Sequence, residues 1–219
     1  MIRYRNRRHR FNESITIAQF EDRARRAVDT LKTKPGLTRE QTRMQDVGKI
    51  EPVPIDGDSL FSLGFVTKNS PNLVCKLDVT SLSSGKHYII NLKLKEFWPR
   101  LAEWLAENGL DAEACRQSTA SSLDRLVNSF FALPSTQRLL LELKCSCHDF
   151  TFRFRRRATE GGSLFMNEDD EDEGPIESPG CKHSAQAIIR KSGWYQRLAY
   201  YIARQVLKVM PEEVFKFLR

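Results

Sequence analysis

Apolar residues at helical spacing dominate the first part of the chain after a basic N-terminal arm. The positions that share one helical face are Ile17, Phe20, Ala24, Ala27, Val28 and Leu31. Asn12 or Ser14 is the expected N-cap of this helix, and Pro35-Gly36 is the expected stop. Residues 35–58 lack periodicity and contain several prolines, so we expect a linker there.

Strand-like patterns replace the helical spacing after residue 58. The three predicted strands are Leu60–Val66, Leu73–Val79 and Tyr88–Leu94. In the third strand, apolar residues alternate with more polar neighbours, as in a strand that is buried on one face. Because Ser, Gly, Asn and Pro turn signals separate the strands, we expect a small antiparallel meander.

Helical spacing returns in the second half of the chain. One predicted helix carries Phe97, Leu101, Trp104 and Leu105 and stops at Gly109. A second predicted helix carries Leu123, Leu126, Val127, Phe130 and Phe131 and ends near Pro134. The pattern further predicts a long C-terminal helix from about Lys182 to Met210, with core positions at Trp194, Leu198, Ile202 and Leu207. Tyr195, Tyr200 and Tyr201 lie beside these positions, where they could serve the core or an interface.

Composition and charge narrow the class of protein. The 219 residues are 40% hydrophobic and 29% charged, which argues against wholesale disorder. The net charge of +7 permits an acidic partner without establishing one. No segment approaches the ~18 consecutive apolar residues of a membrane helix, and the arginine-rich start is unlike a secretory signal. We therefore expect no membrane partner, and a location in the cytoplasm or in a particle assembled there.

The cysteines form the main candidate site. There are five, an odd number at irregular spacing, which favours metal ligation or burial over disulfides. Cys145 and Cys147 form one tight pair, and Cys181 and His183 form another. Thiolate sulfur and imidazole nitrogen are the ligands that structural Zn²⁺ prefers in a closed tetrahedral site. Simple burial of the cysteines is the alternative.

The sequence around these pairs resembles that of the SWIM-type zinc finger, whose pattern is C-x-C-x(n)-C-x-H. Cys145–Phe150 (CSCHDF) and Gly180–Ile188 (GCKHSAQAI) are similar to its two ligand segments, and Leu139–Leu143 is similar to its preceding strand. The resemblance covers roughly residues 138–190. It implies a structural zinc ion held by Cys145, Cys147, Cys181 and His183, and it suggests nucleic-acid binding. One departure from the family is the long segment between the two ligand pairs, residues 148–180. It contains an arginine cluster and an acidic run.

Other ligand assignments stay open from the sequence. An iron–sulfur cluster could use Cys75 or Cys115 as a further ligand, although zinc is favoured. Asp149 is expected to form a turn or to accept a hydrogen bond from His183.

Together these patterns predict an α+β fold. We expect an N-terminal helix, a small antiparallel sheet, helices, and a C-terminal ββα-like zinc module with a long terminal helix. The expected divisions are a basic arm, helix and linker over residues 1–58, an α+β domain over 59–135, and the SWIM-like module with its helix over 136–219.

Clusters of charge offer candidate contacts to anions or nucleic acid. These are Arg3, Arg5, Arg7, Arg8 and Arg10 in the arm, and Arg153, Arg155, Arg156 and Arg157 between the ligand pairs. A solvated tail, or docking of the arm into an acidic protein, is the alternative. The acidic run Glu168–Glu173 could fold back on the second cluster and compete with nucleic acid.

The sequence offers no recognisable catalytic motif. It has no phosphate-binding glycine loop and no nucleophile elbow, so we expect neither an enzyme nor a small-molecule substrate. Two function classes remain. The favoured one is a zinc-stabilised adaptor among the proteins of a large assembly, such as a phage tail, neck or baseplate. The alternative is a SWIM protein that binds DNA or RNA.

Overall fold

The fold combines helices with one small sheet. The computed structural model describes residues 15–33, 46–54, 70–148 and 181–218. Its strands are β1 (Ile50–Val53), β2 (Leu73–Thr80), β3 (His87–Leu94) and β4 (Leu141–Cys145). Its α-helices are α1 (Ile17–Thr33), α2 (Phe97–Glu107), α3 (Ala112–Gln117), α4 (Ala120–Ala132), α5 (Pro134–Gln137), α6 (Lys182–Ile189), α7 (Lys191–Tyr201) and α8 (Glu212–Phe215). The α+β class is confirmed.

The sheet is antiparallel throughout, in the order β1-β2-β3-β4. Its register aligns Pro52 with Leu77, Leu77 with Ile90, and Ile90 with Cys145. This row runs across the buried face of the sheet, because alternate residues of a strand point to the same side. The first cysteine of the site therefore ends a row of core side chains.

The strands correct one boundary of the sequence analysis. The expected linker over residues 35–58 contains β1, which pairs along the edge with β2. A four-residue strand with a central proline, Pro52, looks like loop sequence, and an edge strand is where proline is tolerated. The predicted strands at 73–79 and 88–94 are confirmed, whereas Leu60–Val66 lies outside the described residues.

Helix α1 is attached to the sheet at its first residues. Thr16 caps it, because Thr16 Oγ1 accepts from the Gln19 backbone N–H at 3.2 Å and Gln19 Oε1 accepts from the Thr16 N–H at 2.9 Å. The expectation that Asn12 or Ser14 is the cap was wrong. Thr16 also forms an antiparallel bridge with Leu140, just before β4. The capping hydrogen bonds of Thr16 thus fix the start of the helix, and its bridge to Leu140 places the helix beside β4.

The two central helices are confirmed, and a third lies between them. α2 ends at Glu107 and α4 at Ala132, close to the predicted stops. The additional helix, α3, has six residues and is capped by Asp111, whose Oδ1 accepts from the Ala114 N–H at 2.7 Å. A helix this short shows too few repeats for its periodicity to be recognised.

The long C-terminal helix was predicted incorrectly as one continuous element. It is divided at Arg190 into α6 and α7, and residues Ile202–Leu207 form a π-helical turn. Arg190 leaves the helical conformation, and its side chain donates to the carbonyls of Val47 and Gly48 at 3.1 and 2.9 Å. Ser192 and Gly193, which have low helix propensity, follow the break. The predicted core positions Trp194, Leu198, Ile202 and Leu207 are buried.

One hydrophobic core connects all these elements. It includes residues from each of the three expected divisions, such as Phe20, Leu77 and Trp194. The divisions themselves stay a prediction, but the sheet takes strands from each side of both boundaries. Within the described ranges, no helix combines the length and apolar character that a membrane span needs.

A matched pair of leucines tests the core. Leu77 is fully buried in β2, whereas Leu82 is 67% exposed in the following turn. We expect Leu77→Ala to lower the free energy of unfolding by about 2–5 kcal/mol, because it removes buried methyl groups and leaves a cavity. Leu82→Ala is expected to change it by less than about 0.5 kcal/mol. Urea denaturation measures both, and similar values would contradict the assigned faces of this hairpin.

Candidate metal centre

Two cysteines reach the site from the end of β4. Cys145 and Cys147 are buried and the residue between them, Ser146, is exposed, as strand alternation requires. Ser146 continues the pairing with β3, since its N–H donates to the Ile89 carbonyl and its Oγ accepts from the Ile89 N–H, both at 2.9 Å. These bonds hold both thiols on the inner side of the sheet.

The other two candidate ligands come from the start of α6. Cys181 is the N-cap residue in extended conformation, and His183 lies in the first turn. The Cys181 carbonyl accepts from the Ala185 N–H and from the Ser184 hydroxyl, both at 2.9 Å. The Ser184 Oγ also lies 3.4 Å from the Cys181 sulfur. The helix start therefore fixes the Cys181 thiol and the imidazole relative to each other.

The four predicted ligand residues converge. Their ligand atoms all lie within 4.8 Å of one another. His183 Nδ1 is 4.0 Å from the sulfur of Cys145 and 3.9 Å from that of Cys181. Tetrahedral zinc, with bonds of about 2.3 Å to sulfur and 2.0 Å to nitrogen, would separate such atoms by about 3.6 Å. The arrangement is thus close to the size that a metal ion requires, with Nδ1 as the imidazole donor.

Burial closes the site to solvent. The exposed fractions are 1% for Cys145, 2% for Cys147, 0% for Cys181 and 2% for His183. A set of three thiols and one imidazole at these distances can hold a metal ion. All four candidate ligands are supplied by the protein, and none of them faces water.

Because the thiols lie close together, the pKa values of Cys145 and Cys181 shift in opposite directions. Hydrogen bonding to Cys147 and Cys181, together with burial, raises the pKa of the Cys145 thiol far above its usual range. Burial also acts to raise the pKa of Cys181, but hydrogen bonds from Cys145, Cys147, His183 and Ser184 outweigh it and lower that pKa.

A polar contact that the sequence analysis missed anchors the helix start. Asp46 pairs with Lys182 at 2.7 Å. Its carboxylate also accepts from the Ser81 and Ser83 hydroxyls at 2.9 and 2.8 Å, and from the Ser83 backbone N–H. Burial acts to raise the pKa of Asp46, yet Lys182 and the serine donors hold it well below its usual range. This contact links α6 to the β2–β3 turn, and no spacing in the sequence signals it.

The remaining cysteines do not join the cluster. Neither Cys75 nor Cys115 belongs to the ligand group, so the structure does not support either as a further iron–sulfur ligand. Burial raises the pKa of Cys75 to about 12 and contributes, with the charge of Asp111, to raising that of Cys115 to about 11. Both thiols are therefore inert core residues.

Several sequence-predicted positions lie outside the described residues. These are Asp149, the acidic run Glu168–Glu173, the arm arginines Arg3, Arg5, Arg7, Arg8 and Arg10, and the second cluster Arg153, Arg155, Arg156 and Arg157.

Comparison with known proteins identifies no relative. No family model matches the chain, and neither the curated proteins nor the solved structures contain a match.

The Asp46 contact makes a pH-dependent prediction. Because the pKa of Asp46 is lower in the folded than in the unfolded chain, its carboxylate stabilises the fold above the unfolded pKa of about 3.9. This contribution is lost as the pH falls through the folded pKa. We expect Asp46→Asn to lower the free energy of unfolding by about 2 kcal/mol at pH 7, with the difference narrowing below pH 4. Urea denaturation from pH 7 to pH 3 measures it.

Asp22→Asn is the matched control. Asp22 pairs with Arg26 on the exposed face of α1, with 55% of its side chain accessible. Its replacement should change the free energy of unfolding by less than about 0.5 kcal/mol. An Asp46→Asn effect that is equally small, or that persists unchanged at pH 3, contradicts the assigned role of the ion pair.

Proposed function

We propose that this chain is a zinc-stabilised adaptor that docks within a larger macromolecular assembly, such as a phage tail, neck or baseplate. The supporting observation is the closed, buried group of three cysteines and one histidine between β4 and α6. A site of this kind organises a surface and leaves no position for a substrate. The adaptor role is therefore favoured over an enzymatic one.

Zinc is the metal that best fits the donor set. Three thiolates and an imidazole are a ligand set of structural zinc sites, and the distances between their ligand atoms are close to those of a tetrahedral site. Magnesium and calcium prefer oxygen ligands. Zinc would hold the end of a strand to the start of a helix and offset the mutual repulsion of adjacent thiolates. The same four residues and the sequence that flanks them underlie our proposal that the C-terminal part is a SWIM-like module.

The proposed docking surface is the exposed face formed by the end of α7 and the π-helical turn that follows it. Tyr200 is 42% exposed, and the guanidinium of Arg204 lies 4.3 Å from the centroid of its ring. Tyr201 is half-buried beside it, with ring centroids 5.5 Å apart. Tyrosine and arginine are the residues most often found as anchors of protein interfaces. Trp194 and Tyr195 point into the core, so this face carries the aromatics left for a partner.

A cleft adjoins this docking surface. It has a volume of about 950 Å³ and is lined by residues of α1, α4 and α7, including Arg25, Asn128, Gln196 and Tyr201. The lining also includes Asp124 and Glu21, and Glu21 pairs with Arg25 and Lys191, so groups of both charges line the cleft. The cleft therefore suits a polar loop of a partner protein better than an apolar anchor.

Metal analysis tests the zinc proposal. Purified full-length protein should contain about one zinc per chain and no iron, as measured by plasma mass spectrometry. Cys181→Ser should lose most of the zinc, since it removes one of the four candidate ligands. Removal of the metal by a chelator should lower the melting temperature by about 10 °C or more.

Cys115→Ser is the matched control, because it replaces a buried cysteine that is not part of the ligand group. It should keep its zinc whatever its effect on stability. Wild-type protein that contains iron in place of zinc, or that takes up no metal when refolded with zinc, contradicts the proposal.

Substitution on the proposed docking surface tests docking. Tagged protein produced in its native cell should elute in a large complex on size exclusion. We expect Tyr200→Ala and Arg204→Ala each to weaken this association by about tenfold or more, as for interface anchors. Arg100→Ala, on α2 and paired with Glu103, should leave it unchanged. Unaltered association of both docking-surface variants would show that the docking surface lies elsewhere.

Nucleic-acid binding is the second candidate function, supported by the net charge of +7. A salt titration with labelled DNA and RNA separates it from the adaptor role. Affinity that falls steeply with salt, and that weakens on alanine substitution of Arg3, Arg5 and Arg7, favours nucleic-acid binding. Absence of affinity at low salt removes this candidate.

A further inference from the structure

Tyr88 packs against the one imidazole of the cluster. Its ring centroid lies 4.3 Å from that of His183, with the two ring planes tilted by 32°. Tyr88 is half-buried near the start of β3, where it packs against the hydrophobic core. Nothing in the sequence connects this residue with the ligand pairs, which lie far along the chain.

The register of the sheet explains the contact. Ile90 is paired with Cys145, and the Ser146 N–H donates to the Ile89 carbonyl at 2.9 Å. Continued by two residues, the same antiparallel register sets Tyr88 opposite Cys147. Since Tyr88 shares the inner face with Ile90, its ring is directed toward the space that His183 enters from α6.

The imidazole of His183 is buried, so packing contributes to fixing the plane of its ring. Its Nδ1 faces the sulfurs, and its Nε2 is buried without a hydrogen-bond partner among the described residues. In metal sites, the second nitrogen of a ligating histidine is usually hydrogen-bonded, which sets the orientation of the ring. Here the ring of Tyr88 lies against the imidazole and can restrict its rotation.

We propose that Tyr88 is a positioning residue for His183, which holds the imidazole in its ligating orientation and slows the release of the metal. This inference rests on the proposed function, in which the four residues bind zinc. Tyr88 acts through ring packing, so its hydroxyl is not required. Aromatic pairs of this kind stabilise by an amount equivalent to roughly a two- to tenfold change in a rate or equilibrium.

Zinc transfer from the loaded full-length protein to a chromophoric chelator tests the proposal. Tyr88→Phe keeps the ring and should release zinc within about twofold of the wild-type rate. Tyr88→Leu removes the ring and should release it roughly two- to tenfold faster. In the cobalt-substituted protein, Tyr88→Leu should also change the visible absorption bands, whereas Tyr88→Phe should not.

Phe215→Leu is the control for lost packing, because Phe215 in α8 is another half-buried aromatic that packs on the core outside the cluster. It should leave the zinc-release rate and the cobalt spectrum unchanged. Equal release from wild type, Tyr88→Phe and Tyr88→Leu, with unchanged cobalt spectra, overturns the role of Tyr88 while leaving zinc binding intact. Wild-type protein that takes up neither zinc nor cobalt overturns the proposed function itself.

A measurement on the wild type covers the case in which Tyr88→Leu does not fold. With selectively labelled tyrosine and histidine, the zinc-loaded protein should show nuclear Overhauser effects between the Tyr88 and His183 rings. Their absence contradicts the proposal.

Discussion

The convergence of three sulfurs and one imidazole nitrogen is the constraint on which the C-terminal half depends. These ligand atoms lie within 4.8 Å of one another, yet they come from a strand end and a helix start that are separated by residues 148–180. Loop-closure entropy grows only slowly with length, so a long segment between the pairs is compatible with a compact site. The position of α6 over the sheet is thus coupled to the geometry of four side chains.

Other contacts place the same helix from the outside. Asp46 joins Lys182 to the β2–β3 turn, and Arg190 binds the carbonyls of Val47 and Gly48 at the far end of α6. Both contacts use the short segment that leads into β1. This segment therefore fixes α6 at its start and at its end, while the ligand group fixes its depth in the core. After the break at Arg190, α7 buries Trp194 and Tyr195 in the core and leaves Tyr200 exposed near its end.

The site is enclosed by the fold. Its three thiols and one imidazole are buried and close together, and this donor set could hold a metal ion. Tyr88 extends this reasoning to the sheet, since it presents a ring to the histidine from the strand opposite the cysteines. Under our proposals, the bound metal stabilises the contact between β4 and α6, whereas the end of α7 and the turn after it form the docking surface. Metal binding and partner recognition are then carried by different parts of the fold.

The sequence by itself determined the α+β class, the principal helices, two strands and all four residues of the ligand group. It could do so because these features depend on local periodicity and on the close spacing within each cysteine or histidine pair. The spacing of Cys145 and Cys147 implies a common side of a strand, and Cys181 and His183 lie at the start of a helix.

Only the tertiary structure decided which distant residues meet. β1 forms because β2 offers it an edge, α6 ends because Arg190 finds carbonyls elsewhere in the chain, and Tyr88 reaches His183 through the register of β3 with β4. Asp46 and Lys182 form an ion pair for the same reason. Such contacts depend on the geometry of the assembled sheet and core, which no local pattern of residues encodes.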